Sequence, residues 1–223
     1  MDKKKLILIG GGGHCKVVIS ILKKLKNYEI TGIVDNYKLN DSIKGIKVIG
    51  TDDDLEDIFK SGIKYALITV GSVKDNTKRY KLFNLVKKIG YKFPVIISPE
   101  AIVDKSVKID EGSVIMPGSI INIDSNIGKN CIVNTGAIIE HDCKIKNHCH
   151  IAPGVHISGA VNIGELSFLG IGATIIQGIK IGKNVTIGAG SVVIKDILNN
   201  VITLGNPTKI VKSKNKIEFK NNK

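Results

Sequence analysis

The sequence predicts two folded parts in series: a small α/β domain over residues 1–94 and an all-β triangular prism of parallel strands over residues 95–208, followed by a basic tail at 209–223. Three observations carry this prediction. An aliphatic residue recurs every six positions from Ile97 to Val193, at all 17 positions. A short aliphatic run, Leu6-Ile7-Leu8-Ile9, feeds directly into Gly10-Gly11-Gly12-Gly13-His14. A length of 223 residues lets both parts bury a core without disulfide or metal staples.

The elements of the first part follow in order. Leu6 to Ile9 reads as a buried strand, and Val17, Val18, Ile21, Leu22 and Leu25 after it have helical spacing. A second strand, Ile30 to Val34, ends at Asp35. Thr51 caps a helix over Asp52–Lys60, Tyr65–Val70 forms a third strand closing at Gly71, and Asn76–Ile89 forms another helix. The opening is therefore a βαβ unit. Glycines at its first turn let N–H groups of a helix start approach a phosphate. Cys15 stands where a dinucleotide fingerprint has its third glycine, which weakens the case for a nicotinamide cofactor. The domain ends near Phe93-Pro94 and the hexads begin almost at once, so a ligand at the strand ends can face the prism.

A period of six fits neither a helix at 3.6 nor the alternation of a hairpin. It fits short parallel strands joined by turns, three hexads to a coil of 18 residues. The aliphatic residue fills the interior, and the residue four places on, such as Ser119, Cys131, Ala137, Cys143 or Cys149, fits a corner. Gly128, Gly164, Gly170, Gly182 and Gly188 are expected to take the turns with positive φ.

Charge excludes some functions. The net charge is +13, but 19 of the 33 basic residues lie in residues 1–94 and six in the tail, leaving the prism near balance. Arg79 is the only arginine and aromatic residues make up 4%, so the forks and stacking platforms that read nucleic acid are missing. No apolar run approaches the roughly 18 residues of a membrane helix. The run Leu6–Ile9 is too short for a secretory signal, and a cytoplasmic protein is expected. The four cysteines form no C-x-x-C pair, which argues against a disulfide framework or zinc ribbon.

Four of the five histidines fall in the repeat: His141, His148, His150 and His156. Acyl transfer from a thioester needs a base near the incoming nucleophile, and a carboxylate beside an imidazole orients its tautomer and raises its basicity. Glu140-His141-Asp142 supplies that pattern, with His141 as the base. His150 lies nine residues on, half a coil, so the two histidines point to different sides of one prism and can meet only across a subunit boundary. An oligomer with shared sites follows. His148 and His156 read as surface residues. No carboxylate spacing accompanies them that would hold a metal.

The opening Gly10 to Val18, the strand end Val34-Asp35-Asn36, the stretch Asn134-Thr135-Gly136 through Glu140-His141-Asp142-Cys143 and the ending Gly205-Asn206-Pro207-Thr208-Lys209 together resemble the NeuD/PglD-like sugar acetyltransferases, a branch of the hexapeptide-repeat acyltransferases. The resemblance implies a Rossmann-like α/β domain that binds a nucleotide sugar, followed by a left-handed parallel β-helix that binds acetyl-CoA as co-substrate. It also implies a homotrimer with intersubunit active sites, and no metal. Carried over by position, His141 is the general base and Asp142 increases its basicity, while His150 contacts the acetyl group. Ile171 and Ala189 line the CoA groove, and Gly159 offers a backbone N–H there. Gly12, Gly13, His14, Asp35, Asn36 and Gly71 hold the nucleotide sugar, with Asn36 replacing a second Asp of some members. The Gly-Asn-Pro-Thr-Lys ending lies near the CoA adenine. The implied reaction is N-acetylation of the 4-amino group of a nucleotide-linked 4-amino-4,6-dideoxyhexose. The alternatives are O-acetylation of a sialic acid or other sugar, and a non-catalytic nucleotide-sugar or CoA sensor. Cys143 and Cys149 read as corner packing rather than acyl carriers.

Overall fold

The computed structural model describes residues 3–39 and 41–214. The first part holds β1 (Lys4–Ile9), α1 (Gly13–Lys24), β2 (Tyr28–Val34), β3 (Ser42–Ile43), β4 (Ile46–Gly50), α2 (Leu55–Lys60), β5 (Tyr65–Ile68) and α3 (Thr77–Ile89). The sheet order is β3-β4-β2-β1-β5, parallel except where β3 runs against β4. Successive side chains of a strand point to opposite faces. In β1, Leu6 and Leu8 therefore join α1 residues Cys15, Val18 and Leu22 in a core that also takes Ile96, Val114 and Met116 from the start of the prism. Ile7 and Ile9 join Leu55, Leu82, Phe83, Val86 and Tyr91 on the other side.

One hairpin is added to the expected elements and three expectations are corrected. The hairpin β3–β4 carries no Asn-Gly signal: its turn is Lys44-Gly45, with φ of 51° and 81°. The helix expected from Asp52 starts as a single 3-10 turn, Asp52–Asp54, held by Thr51 N donating to Asp54 Oδ2 at 2.7 Å. β5 stops at Ile68 because β1, its partner, has ended at Ile9. α3 begins at Thr77, since the Asn76 amide donates to the prism carbonyl of Ser167 at 2.9 Å.

The prism is built as the period requires. Its first face stacks Ile96–Ile97, Val114–Ile115, Ile132–Val133, His150–Ile151, Phe168–Leu169 and Thr186–Ile187. The second runs from Ile102–Val103 to Val192–Val193, and the third from Lys108–Ile109 to Lys180–Ile181. Neighbouring strands are parallel and in register 18 residues apart, as in Ile132 with His150 and Val133 with Ile151. The hexad aliphatics and the small corner residues fill one continuous core.

The glycine expectation fails in an informative way. Positive φ falls three residues after each inner aliphatic from Ile109 to Ile187, running from Gly112 through Asp124, Asn130, Asp142 and His148 to Gly190. Gly128, Gly164, Gly170, Gly182 and Gly188 sit one residue after it, without positive φ. Their reason is contact between coils: a Cβ on Gly164 would lie 2.5 Å from the backbone of Gly182 and Lys183.

The chain closes with Val201–Leu204, parallel to Thr186–Ile187, and Lys209–Ser213 folding back antiparallel onto it. The tail expected from Lys209 is thus a strand in its first five residues. Residues 215–223 lie outside the described residues.

Candidate functional site

The turn between the second and third faces carries the acid–base pair. Asp142, with φ of 59°, turns the chain there, and its N–H donates to Ile123 O at 3.1 Å. The carbonyl of His141 accepts from Ala160 N at 2.9 Å, so the coil above fixes this backbone. Within the pair, His141 Nδ1 lies 2.8 Å from Asp142 Oδ2, with side-chain exposures of 48% and 61%. The carboxylate accepts a hydrogen bond from Nδ1–H and leaves the Nε2 lone pair free, which is the arrangement a general base needs. Glu140 is occupied elsewhere, accepting from Asn122 Nδ2 at 2.9 Å. Gly159, one coil above His141, lies against the imidazole: a Cβ there would be 2.5 Å from Nε2 and Cε1.

His150 is on the first face, so the two histidines do point to different sides of one prism. It is 7% exposed, lying beneath the loop that follows β5. Nδ1 is 3.0 Å from Ser72 O and 2.9 Å from Ser72 Oγ, while Nε2 is 3.1 Å from Asn134 Nδ2. A carbonyl accepts only, so Nδ1 carries the proton and Nε2 accepts from the amide. Burial and then the nearby Arg79 lower its pKa to about 3, fixing a neutral ring.

Ile171, 61% exposed, and Ala189, exposed, sit one coil apart on the corner between the first and second faces. Their neighbourhood is bound by Gly190 N donating to Ile171 O at 2.8 Å. They are therefore on a different corner from His141 and Gly159.

In the α/β domain the sequence-predicted residues gather at the carboxyl ends of β1, β2 and β5, the usual ligand crevice of such sheets. Gly12 and Gly13 open α1, are exposed and have no atom within 4 Å of where a Cβ would stand. His14 Nε2 is buried without a hydrogen-bond partner, and burial followed by Arg79 and His150 holds the ring's pKa well below its usual value. Gly71 packs on it, with a Cβ position 3.4 Å from His14 Cβ. Asp35 is engaged on both oxygens, accepting Gly11 N at 2.6 Å and Tyr37 N at 3.0 Å, which fixes the shape of the glycine turn. Asn36 pairs with Asp52: its Nδ2 donates to Oδ2 at 2.9 Å, and Asp52 N donates to its Oδ1 at 2.8 Å.

Several residues escaped the sequence reading. His148 is not on the surface: at 8% exposed it packs edge-on to Tyr80 and Phe83 and lies 3.1 Å from Asn130 Nδ2. Its side of the prism is covered by α3, which no period could foretell. His156 is exposed, as expected. Ser72, Asn76 and Arg79 join the two parts of the chain, and the only available signal was that Arg79 is a lone arginine. The cysteines are free and buried; Cys143 and Cys149 donate to the carbonyls of Ser158 and Gly164, and burial raises both thiols. Such thiols are packing groups, not nucleophiles. Among the described residues no cluster of three or more His, Cys, Asp or Glu is arranged to hold a metal, and no helix is long and apolar enough to cross a membrane.

Residues 5–86 match the PglD N-terminal domain, and residues 124–159 and 160–195 each match the bacterial transferase hexapeptide (six repeats). A histidine mutant of perosamine N-acetyltransferase from Caulobacter crescentus, in complex with CoA and GDP-perosamine, is similar at 36% identity with a TM-score of 0.88, over 94% of this chain and 97% of that one. The acetyltransferase domain of PglB from Neisseria gonorrhoeae FA1090, in complex with acetyl coenzyme A, is similar at 36% identity and a TM-score of 0.87, over 94% and 100%. WeeI from Acinetobacter baumannii AYE shares the fold at 24% identity, with a TM-score of 0.81 over 92% and 99%. A search of curated proteins gave no match.

Proposed function

The chain belongs to the NeuD/PglD-like family of hexapeptide-repeat sugar acetyltransferases, and from that premise we propose that it transfers the acetyl group of acetyl-CoA to the 4-amino group of a nucleotide-linked 4-amino-4,6-dideoxyhexose. The observation that carries the reading is the His141–Asp142 pair, 2.8 Å apart on an open corner with Nε2 free. The amine nitrogen attacks the thioester carbonyl carbon while Nε2 of His141 takes its proton. The C–S bond then breaks, and the imidazolium returns the proton to the CoA thiolate, giving the amide and free CoA. Asp142 holds the tautomer and stabilises the imidazolium.

The Gly159 N–H, on the corner of His141, and the exposed Ile171 and Ala189, on the corner between the first and second faces, form the acetyl-CoA side of this proposal where two subunits meet. Gly12, Gly13, His14 and Gly71 form the nucleotide-sugar side. Asp35 and Asn36 shape that side, since their protein contacts already hold the turn and the neighbouring Asp52. His150 serves through its fixed neutral ring, which orients Asn134. His141 and His150 lie on separate sides of one prism, and a homotrimer lets the corner of one subunit meet the first face of the next. A nucleotide sugar as acceptor accords with the GDP-perosamine bound by the similar Caulobacter crescentus protein.

A thiol-release assay with acetyl-CoA tests this against GDP-, UDP- and dTDP-linked 4-amino-4,6-dideoxyhexoses and free sialic acid. Release with an amino sugar, giving an alkali-stable amide and falling about 1,000-fold in His141→Ala, is the expected result for loss of a general base. Release with sialic acid alone would replace the reading with O-acetylation. Full turnover in His141→Ala would remove the base assignment.

A further inference from the structure

Arg79 is the one arginine of the chain and is 2% exposed. Its Nη1 donates to the carbonyls of Ile68 and Val70 at 2.9 and 2.6 Å. Its Nη2 donates to Asn130 Oδ1 at 2.7 Å and Asn130 O at 3.4 Å. All four acceptors are neutral, and among the described residues no carboxylate forms an ion pair with it. A buried cation is normally paired, because removing a charge from water without an opposite charge costs several kcal/mol. Around it His14, His148 and His150 are held neutral, with burial the largest cause and Arg79 the next, and the other titratable neighbour is the buried Cys131 thiol, where hydrogen bonding with Cys149 and the field of Arg79 outweigh burial and lower the pKa.

The place of this cation in the fold matters. Ile68 ends β5, and Val70 packs against Gly10 of the glycine turn, where a Cβ would run into Val70 Cγ2. Gly71, the next residue, packs on His14. The guanidinium thus supports the floor of the crevice onto which Gly12, Gly13 and the N-terminus of the 12-residue α1 open. Free N–H groups and the helix dipole favour an anion at the same point, and His14 Nε2 is buried there without a partner. Low-dielectric walls carry the field of a buried charge into such a crevice.

We propose that Arg79 is a positioning residue for an anionic ligand: its charge, paired with no carboxylate among the described residues, is answered by the diphosphate of a nucleotide-linked ligand lying at the start of α1. The inference rests on the nucleotide-sugar reading above and adds the residue that draws the diphosphate without touching it. Surface lysines near the turn, such as Lys38, whose Nζ donates to Gly11 O at 2.8 Å, and Lys78, are the competing source of attraction. The two sources differ in screening. Added salt weakens exposed charges strongly and buried ones little.

Calorimetric titration of the intact protein with GDP, UDP, guanosine, uridine and inorganic pyrophosphate tests this at about 0.05 M and about 0.5 M salt. In wild type the diphosphates should bind about tenfold more tightly than the nucleosides, and that ratio should change by less than about threefold between the two salts. Arg79→Gln should lower diphosphate and pyrophosphate affinity by about tenfold while leaving nucleoside affinity within about twofold, and Arg79→Lys should retain most of the difference. Equal losses for nucleosides and diphosphates would make Arg79 a purely architectural clamp and overturn the inference. So would a ratio that collapses at high salt. Should Arg79→Gln fail to fold, the wild-type salt comparison and Arg79→Lys still decide. Wild-type binding with an unchanged Arg79→Gln removes this inference alone, whereas no binding of any nucleotide or pyrophosphate removes the nucleotide-sugar reading with it.

Discussion

Replacing Gly159 with alanine isolates the position of the imidazole from everything else in the site. The new Cβ would stand 2.5 Å from Nε2 and Cε1 of His141 and 3.2 Å from Cδ2. Ordinary contacts between such atoms are about 3.5 Å, so the ring must move by about 1 Å. Gly159 does not have a positive φ, and the methyl adds no backbone strain. The ring is half exposed and can swing outward, so the stability cost should stay below about 1 kcal/mol. A displacement of about 1 Å in a reacting group costs about 100-fold in rate, or about 2.7 kcal/mol in the barrier. Steady-state thiol release should therefore show kcat down about 100-fold, while thermal unfolding shifts by less than about 4 °C. In a His141→Ala background the same substitution should cost nothing further, because the group it displaces is gone. A Gly159→Ala enzyme with kcat within about twofold of wild type would refute the placement of Nε2 as the working atom.

The remaining predictions concern stability and the site's other groups. Gly164→Ala places a methyl against the backbone of the next coil, which cannot yield as a side chain can; a loss of about 3 kcal/mol, seen as a drop of about 9 °C in the unfolding midpoint, is expected. His148 and His150, with pKa values lowered to about 4 and about 3, stay neutral in the folded state while their unfolded counterparts protonate below about pH 6.5. Unfolding therefore takes up two protons near pH 5, so their stabilising contribution is full above about pH 6.5 and falls by about 2.7 kcal/mol per pH unit as acid is added. Denaturant titrations from pH 7 to pH 4.5 should show this slope, with His14 steepening it, and His148→Asn should remove about half of the two-proton part.

The fold was legible in the sequence because its two periods are physical. Alternation in Leu6–Ile9 sends side chains to two cores, and the step of six sends an aliphatic into the prism at each strand. The period also placed His141 and His150 on different sides, since nine residues is half a coil. What the sequence hid are facts about approach rather than periodicity. Gly164 and Gly170 looked like turn formers, yet the left-handed position belongs to Asp124, Asn130 and Asp142 as readily as to glycine. Asn and Asp tolerate that conformation, so composition alone does not mark the turn. The burial of His148 under Tyr80 and Phe83 depends on where the first domain docks, a long-range choice with no local signature.

That docking also explains why a single arginine lies buried at the junction of the two parts. Joining a sheet edge to a prism corner brings together backbone carbonyls from β5 and a turn residue, Asn130, whose left-handed backbone points its carbonyl and amide outward to α3. A lysine offers three donors on a compact head, whereas a guanidinium spans acceptors from two elements with its planar fork. The same geometry leaves the charge without a carboxylate partner among the described residues. A hydrophobic strut would join the domains without that electrostatic cost, so retaining a buried cation is best understood through what it does in the crevice, and the difference between Arg79→Gln and Arg79→Lys separates this from mere joining.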